Sequence, residues 1–254
     1  MFIAITRKVS PGIARCELTH MKREPIDVEG ARRQHEEYES CLRRMGCAVH
    51  AIPADPGLPD SVFVEDIAVV LPEIALLTRP GAESRRGETP AVAEALASYR
   101  KTLAMKGPGT LDGGDVLVSG KTIYIGRSTR TDGEGIAEFA ALVHPFGYEV
   151  RTVPVGAALH LKSAANLVGP DTLLIHRGLV GAEAFEGMRW IDVDEAEPAG
   201  AHALCIGEKV LVPAANARTA ERLARAGVRV VTVDISELAK AEAGVTCCSL
   251  VFEA

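Results

Sequence analysis

Two short segments carry side chains that could act as a nucleophile and as an acid–base group. Cys247 begins a pair of adjacent cysteines in GVTCCSL, and His160 lies in LHLKS. Cysteine attacks electrophiles as the thiolate, and histidine exchanges protons near neutral pH, so together they suit nucleophilic catalysis. Each also has a structural interpretation, because a buried cysteine packs as a small apolar side chain and a lone histidine is most often a core or strand residue. The chemistry therefore depends on what the chain places beside them.

Acidic residues flank an apolar stretch in DSVFVED, residues 60–66. Asp60 and Asp66 have the same parity, so on an unbroken strand their side chains would share a face. Carboxylates beside buried residues lose hydration energy unless they are paired or bind a cation, which makes a cation-binding site one interpretation. The other is that they cap turns at strand ends. Asp112 in LDGGD is either a plain turn residue, since Asp-Gly is a strong turn signal, or an acid held at a sheet edge.

Arginines cluster in two loops. The loop TRPGAESRRGE contains Arg79, Arg85 and Arg86, and the loop GRSTRT contains Arg127 and Arg130. A guanidinium binds a carboxylate through two parallel hydrogen bonds, so these loops could clamp the carboxylate of a small ligand. Solvated surface charge is the alternative.

A joint of helix, glycine, two residues and a strand-forming valine occurs three times, at Gly46, Gly147 and Gly227. Apolar periodicity and terminal glycines predict the preceding helices over residues 27–46, 136–146 and 219–226. The joints indicate either a repeat architecture or an ordinary α/β protein with several helix–strand junctions. No strand–GxGxxG–helix unit is present, so a dinucleotide-binding fold is not supported. No shift in composition marks a linker, and we expect one domain over residues 1–254.

Composition excludes several classes of protein. The net charge of -6 disfavours nucleic-acid binding, and no apolar run reaches the length of a transmembrane helix. The apolar N-terminal run is too short for a signal peptide, so a cytoplasmic location is expected. The six cysteines are sparse and form no Cys-x-x-Cys motif, which predicts reduced thiols and no structural zinc site.

The motifs in combination carry a resemblance that none carries alone. The chain resembles the dimethylarginine dimethylaminohydrolase family of the guanidino-group modifying superfamily. The matching stretches, in the order of that family, are DSVFVED, LTRPGAESRR, GTLDGGDVL, YIGRSTRT, LHLKS and GVTCCSL. The resemblance implies an α/β fold that is a five-bladed α/β propeller (pentein) with pseudo-fivefold symmetry and an active site in its central channel.

The resemblance also implies roles for individual residues. Cys247 matches the nucleophile, His160 the general acid–base and Asp112 the acid that orients the histidine, whereas Cys248 is expected to be non-catalytic. The remaining matches concern an arginine-like substrate. In order, they are its guanidinium (Glu65 and Asp66), its α-amino group (Asp60 with the main chain of Leu18), its α-carboxylate (Arg85 and Arg130) and its methylenes (Phe63). Residues 8–24, here called the lid, match a mobile loop of the family.

The expected reaction is hydrolysis of N-omega,N-omega-dimethyl-L-arginine, and of monomethylarginine, to L-citrulline and an amine through a covalent S-alkylthiouronium on Cys247. The resemblance implies no metal or organic cofactor and a small-molecule partner. A homodimer is the assembly we expect, because most soluble oligomers are symmetric dimers. An arginine deiminase or an amidinotransferase of the same superfamily, and a non-catalytic ligand-binding propeller, are the alternatives. Deiminases usually carry an added helical module, for which 254 residues leave little room.

Overall fold

The computed structural model describes residues 1–254, and its fifteen strands form five separate three-stranded sheets. The strands are β1 (Phe2–Arg7), β2 (Cys47–Ile52), β3 (Ala68–Val70), β4 (Ile74–Leu77), β5 (Lys101–Ala104), β6 (Val116–Ser119), β7 (Thr122–Arg127), β8 (Glu149–Pro154), β9 (Ala165–Gly169), β10 (Thr172–Ile175), β11 (Arg189–Asp192), β12 (Leu204–Ile206), β13 (Lys209–Pro213), β14 (Arg229–Val233) and β15 (Leu250–Glu253).

All five sheets have the same internal order. A first strand pairs antiparallel with the middle strand, and the middle strand pairs parallel with the third. The sheets, which we call blades 1 to 5, are β15-β1-β2, β3-β4-β5, β6-β7-β8, β9-β10-β11 and β12-β13-β14. Blade 1 joins the two ends of the chain, because β15 pairs with β1. This pairing closes the ring of blades.

The crossovers from middle to third strand carry the helices. Four blades use a helix, namely α1 (Val28–Arg44), α2 (Thr89–Ala97), α3 (Gly133–Val143) and α4 (Ala217–Arg225). Blade 4 uses a short 3-10 turn instead, Ala182–Phe185, and the four-residue helix α5 (Ser236–Ala239) follows β14. The fold is therefore the five-bladed α/β propeller, or pentein, that the resemblance implies. None of its helices is both long and apolar enough to cross a bilayer.

The predicted helix–glycine–strand joints are confirmed. Gly46, Gly147 and Gly227 have φ of 102°, 78° and 90°, the left-handed region in which a side chain is strained. Each lies between the crossover element and the third strand of its blade. Gly187 has φ of 93° and takes the same place in blade 4. The sequence pattern missed it because no periodic helix precedes it.

The first predicted helix shows why these crossovers form. Asp27 caps α1 by accepting the main-chain N–H of Glu29 at 3.1 Å. The periodic residues Ala31, Tyr38 and Leu42 are fully buried, so one face of α1 packs into the core beside blades 1 and 5. This packing orients the helix on the outside of its blade.

Two segments expected to be strands have another structure. The apolar stretch in residues 60–66 does not form a strand but leads into a 3-10 turn, Val64–Ile67, and LHLKS forms the 3-10 turn Leu161–Ser163. Asp60 and Asp66 are therefore not on one strand face. In both places the inner strand of the blade begins only after the motif, at β3 and β9, so the motif residues lie in the turn that enters the blade.

Candidate active site

The residues singled out from the sequence converge on one cavity. Most of them lie just before the first strands of four blades: residues 60–66 before β3, Asp112 before β6, His160 before β9 and Cys247 before β15, whereas Arg85 and Arg130 follow the middle strands β4 and β7. Eight of the ten predicted residues line this cavity, namely Asp60, Phe63, Asp66, Arg85, Asp112, Arg130, His160 and Cys247. The repeated position in the blade brings together residues that are far apart in the sequence.

His160 and Asp112 form a buried hydrogen-bonded pair. Nε2 of His160 lies 3.0 Å from Oδ2 of Asp112, and both residues are almost fully buried. Oδ1 of Asp112 accepts the main-chain N–H of Gly81 at 2.8 Å, and the N–H of Asp112 donates to Oγ1 of Thr131 at 3.1 Å. Both contacts fix the orientation of the carboxylate, and the carboxylate in turn orients the imidazole.

The electrostatic surroundings of His160 favour its protonated form. Burial lowers its pKa, but the carboxylates of Asp66, Asp112 and Asp115 outweigh burial and raise the pKa to about 9. Nε2 of His160 is 3.8 Å from Oδ1 of Asp66. At neutral pH the group is therefore an imidazolium, a proton donor rather than a base.

Gly114 explains the Gly-Gly step of LDGGD. A Cβ at this position would lie 2.7 Å from Oδ1 of Asp66 and 2.7 Å from Nδ1 of His160, both closer than van der Waals contact. The main-chain N–H of Gly114 donates to the same Asp66 oxygen at 3.1 Å. The absence of a side chain at Gly114 therefore allows His160 and Asp66 to pack closely against this turn.

Cys247 lies partly exposed in the turn before β15. Its Sγ accepts the main-chain N–H of Gly244 at 3.2 Å. Burial raises the pKa of the thiol to about 12, and the negative charges of Glu65 and Asp66 act in the same direction. Without a ligand the group is therefore a thiol at neutral pH. All six cysteines are free, as the sequence predicts, and Cys248 is fully buried.

Asp66 and Arg85 are joined in a buried ion-pair network. Nη1 of Arg85 contacts Oδ2 of Asp66 at 2.5 Å, and Nη2 and Nε of Arg85 bind both carboxylate oxygens of Glu88. Nη2 also donates to the carbonyl of Phe63 at 2.8 Å. His160 and Arg85 outweigh the burial of Asp66 and hold the pKa of that carboxyl below its usual range. Arg85 thus uses most of its N–H groups inside the protein.

Glu65 lies behind the cavity lining, where it forms an ion pair with Lys162. The distance from Nζ of Lys162 to Oε1 of Glu65 is 2.8 Å, whereas Oε2 is buried without a hydrogen-bond partner. Burial raises the pKa of Glu65 despite the nearby lysine. Both residues of this ion pair line a second, larger cavity.

The lid covers the cavity from outside. The main-chain N–H of Glu17 donates to both carboxylate oxygens of Asp60, at 3.1 and 3.2 Å. Nη2 of Arg130 donates to Oγ1 of Thr19 at 2.9 Å. Leu18 does not line the inner cavity but an outer one, together with Arg130. Arg130 therefore connects the inner cavity to its entrance.

The sequence motifs missed several residues of this site. Asp115 is fully buried and binds Oγ of Ser128, Oγ1 of Thr131 and the main-chain N–H of Leu161, so it anchors the residue after His160. The second aspartate of LDGGD was the available signal. Glu17, Leu159 and the segment 241–243 also line the cavity. Leu159 belongs to the motif LHLKS and Glu17 to the lid, but neither was given a role, and no local pattern marks residues 241–243.

One group of side chains has the spacing of metal ligands. Single ligand atoms of Asp66, Asp112 and His160 all lie within 4.8 Å of one another. Asp66, however, is already paired with Arg85, and Asp112 is hydrogen-bonded to His160. The arrangement fits an acid–base site, in which carboxylates bind a cationic group of a ligand, better than a resident metal site.

Comparison with known proteins agrees with this geometry. A family profile described as N,N dimethylarginine dimethylhydrolase, eukaryotic, matches residues 16–186. An N(G),N(G)-dimethylarginine dimethylaminohydrolase of Streptomyces coelicolor is 42% identical over 249 residues, covering 97% of this chain and 95% of the relative. The chain belongs to the dimethylarginine dimethylaminohydrolase family. The enzyme of that name from Pseudomonas aeruginosa is 36% identical over 89% of this chain and 90% of its own.

Solved structures of the family have the same fold over the whole chain. A cysteine-to-serine variant of the Pseudomonas aeruginosa dimethylarginine dimethylaminohydrolase in complex with citrulline matches with a TM-score of 0.94 and 34% identity, covering 99% of this chain and 100% of that one. A histidine-to-glycine variant in an adduct with S-methyl-L-thiocitrulline matches with a TM-score of 0.93. The N-terminal domain of the cyanobacterial arginine dihydrolase ArgZ, at 17% identity and a TM-score of 0.85, shares the fold alone.

Proposed function

We propose that this protein hydrolyses N-omega,N-omega-dimethyl-L-arginine, and monomethylarginine, to L-citrulline and the corresponding methylamine. The observation that carries the proposal is the convergence of Cys247, the His160–Asp112 pair and the carboxylate of Asp66 on one cavity. A thiol, a proton donor and an anionic seat are what cleavage of a guanidinium C–N bond requires. Relatives named for this activity cover nearly the whole chain.

The substrate lies along the cavity in one direction. Its guanidinium meets Asp66 beside the imidazolium, with Glu65 behind, and its methylenes run past Phe63, which is buried at the wall. Its α-amino group binds Asp60 and the main chain near Leu18. Its α-carboxylate binds Arg130 at the mouth, with Arg85 deeper in the wall. The negative seat stabilises the guanidinium as a cation while excluding water.

Binding of the cation activates the nucleophile. The carboxylates that raise the pKa of the Cys247 thiol are the groups that the guanidinium neutralises. Together with the imidazolium of His160, the bound cation lowers the thiol pKa, and the thiol proton leaves to solvent. The thiolate then attacks the guanidinium carbon. A sulfur–carbon bond forms and a tetrahedral intermediate results.

His160 then serves both halves of the reaction. In the first half it donates its proton to the dimethylamino nitrogen, and the carbon–nitrogen bond breaks. Dimethylamine departs, and an S-alkylthiouronium remains on Cys247. The imidazole is now neutral, so it accepts a proton from water. The hydroxide attacks the thiouronium carbon, and the sulfur–carbon bond then breaks. The proton of the new hydroxyl group passes to the departing sulfur, so neutral citrulline leaves and Cys247 is again a thiol. Asp112 stabilises the imidazolium at the beginning and at the end.

The decisive experiment is a citrulline assay with asymmetric dimethylarginine and with unmodified arginine, in the presence of a chelator. Turnover of the methylated substrate alone supports the proposal. Turnover of arginine alone assigns the chain to the deiminase reaction. Cys247→Ser is expected to abolish citrulline formation, whereas Cys248→Ser, a matched change at the buried neighbour, is expected to retain most of it. Full activity of Cys247→Ser, or failure to trap an adduct on Cys247, contradicts the covalent mechanism.

Three further predictions concern the domain organisation, the location and the assembly of the protein. We propose that residues 1–254 form one catalytic domain, which the pairing of β15 with β1 supports because it joins both chain ends in one sheet. A cytoplasmic location and a homodimer remain predictions.

A further inference from the structure

Glu242 connects the lid to the loop that carries the nucleophile, although no motif marks it. Its carboxylate accepts hydrogen bonds from three consecutive main-chain N–H groups of the lid: Thr19 at 2.9 Å, His20 at 2.6 Å and Met21. Successive N–H groups that converge in this way form an anion-binding nest. The nest in the lid is therefore occupied by a carboxylate of the protein itself.

The backbone of Glu242 is held in an unusual conformation. Its φ is 59°, the one positive value outside the glycines. A side chain in this region costs about 1 kcal/mol and persists only where surrounding contacts hold it. The neighbours Ala241 and Ala243 line the cavity, and Gly244 donates its N–H to Sγ of Cys247. Contact with the lid and contact with the nucleophile are thus made by one short loop.

Three other contacts of the lid reach residues of the inner cavity and of its entrance. The main-chain N–H of Glu17 donates to Asp60, and the side chain of Glu17 accepts a hydrogen bond from Oγ of Ser84 at 2.7 Å. The hydroxyl group of Thr19 accepts a hydrogen bond from Arg130. Asp60 and Arg130 are groups that the substrate would also engage. Glu242 is different because its side-chain partners are in the lid alone, so its hold on the lid need not change when a substrate binds.

We propose that Glu242 is a positioning residue whose carboxylate latches residues 19–21 of the lid over the cavity. The proposal rests on the proposed function, for which the latch retains substrate and limits access to the thiol. Loss of the latch favours the open lid. Substrate binding then weakens, while the reacting groups themselves are unchanged.

Two variants separate the carboxylate from the backbone conformation. Glu242→Gly removes the carboxylate but tolerates the positive φ, and Glu242→Gln keeps the side-chain length but removes the charge. Glu83→Gln is the matched control, since the side chain of Glu83 is 89% exposed near the entrance and contacts Arg86 rather than the lid. The variants are compared by hydrogen exchange of residues 16–24, by steady-state kinetics with dimethylarginine and by iodoacetamide alkylation of Cys247.

We expect hydrogen exchange at residues 19–21 to become about tenfold faster in Glu242→Gly, with a smaller increase in Glu242→Gln. A tenfold change corresponds to a loss of about 1.4 kcal/mol in the free energy that holds the lid closed. KM is expected to rise by a similar factor with kcat within about threefold, and alkylation to become several-fold faster. The control is expected to match the wild type. Unchanged exchange in both variants, or faster exchange with unchanged KM, overturns the proposal. If the wild-type protein has no turnover, the proposed function fails, and exchange with alkylation alone still tests the latch.

Discussion

Nε2 of His160 lies 3.0 Å from Oδ2 of Asp112, and both residues are almost fully buried. In such a site a carboxylate does more than orient an imidazole, because its charge is poorly screened. With Asp66 and Asp115 it raises the pKa of His160 to about 9 against the effect of burial. The resting site therefore combines an imidazolium with a neutral thiol, and this combination makes the following predictions possible.

Asp112→Asn is expected to lower kcat by about 100-fold, because the histidine loses its orienting charge and its proton-donating form. The pKa of His160 falls in this variant, so the alkaline limb of the pH–rate profile moves to lower pH. Asp112→Glu keeps the charge and is expected to remain within about tenfold of the wild type. Steady-state kinetics across pH 6 to about 10 tests both variants. If the alkaline limb of the pH–rate profile stays at the same pH in Asp112→Asn, the limb does not reflect the titration of His160.

Stability is expected to fall as the pH rises past neutrality. The pKa of His160 is raised from 6.5 to about 9 in the folded protein. Its contribution to the free energy of unfolding is therefore fully present below pH 6.5 and is lost as the pH rises through 9. The contribution is on the order of 3 kcal/mol. Urea unfolding at several pH values measures it. His160→Gln is expected to lack this decline between pH 6.5 and 9, and an equal decline in both proteins would contradict the assignment.

Glu65→Gln is expected to affect the free thiol and the reaction in opposite directions. The charge of Glu65 raises the pKa of Cys247, and its removal also leaves Lys162 without its anionic partner. Alkylation of the free enzyme by iodoacetamide is therefore expected to become several-fold faster at pH 8. Turnover is expected to fall at least tenfold because the guanidinium loses a carboxylate. Slower alkylation together with slower turnover would indicate disrupted packing instead.

Arg130→Lys is expected to raise KM by about tenfold and leave kcat within about twofold, because lysine keeps the charge but cannot bind a carboxylate bidentately. Arg130 lies at the mouth of the cavity, away from the reacting groups. Arg127→Lys, at an exposed arginine that ends β7, serves as the control and is expected to behave as the wild type. Equal KM values for the two variants would remove Arg130 from the carboxylate site.

The helix–glycine–strand joints and the reactive residue types could be predicted from the sequence because their signals are local, whereas the five-bladed propeller was expected only from the resemblance to the family. Positive φ at Gly46, Gly147 and Gly227 is a property of single positions, and the burial of α1 follows from its own periodicity. The six ordered motifs identified the family for the same reason. Local patterns failed at residues 60–66 and 159–163, where apolar alternation predicted strands and 3-10 turns form.

The state of the site was decided by tertiary structure. Three features of the site depend on contacts between distant segments. They are the choice of carboxylates that face His160, the ion pair of Glu65 with Lys162, and the contact of Glu242 with the lid. Sequence alone places a thiol and an imidazole in the chain with their ordinary pKa values. Only the folded ring of blades supplies the burial and the unscreened charges that raise both pKa values, because desolvation and Coulomb energy depend on distances in space.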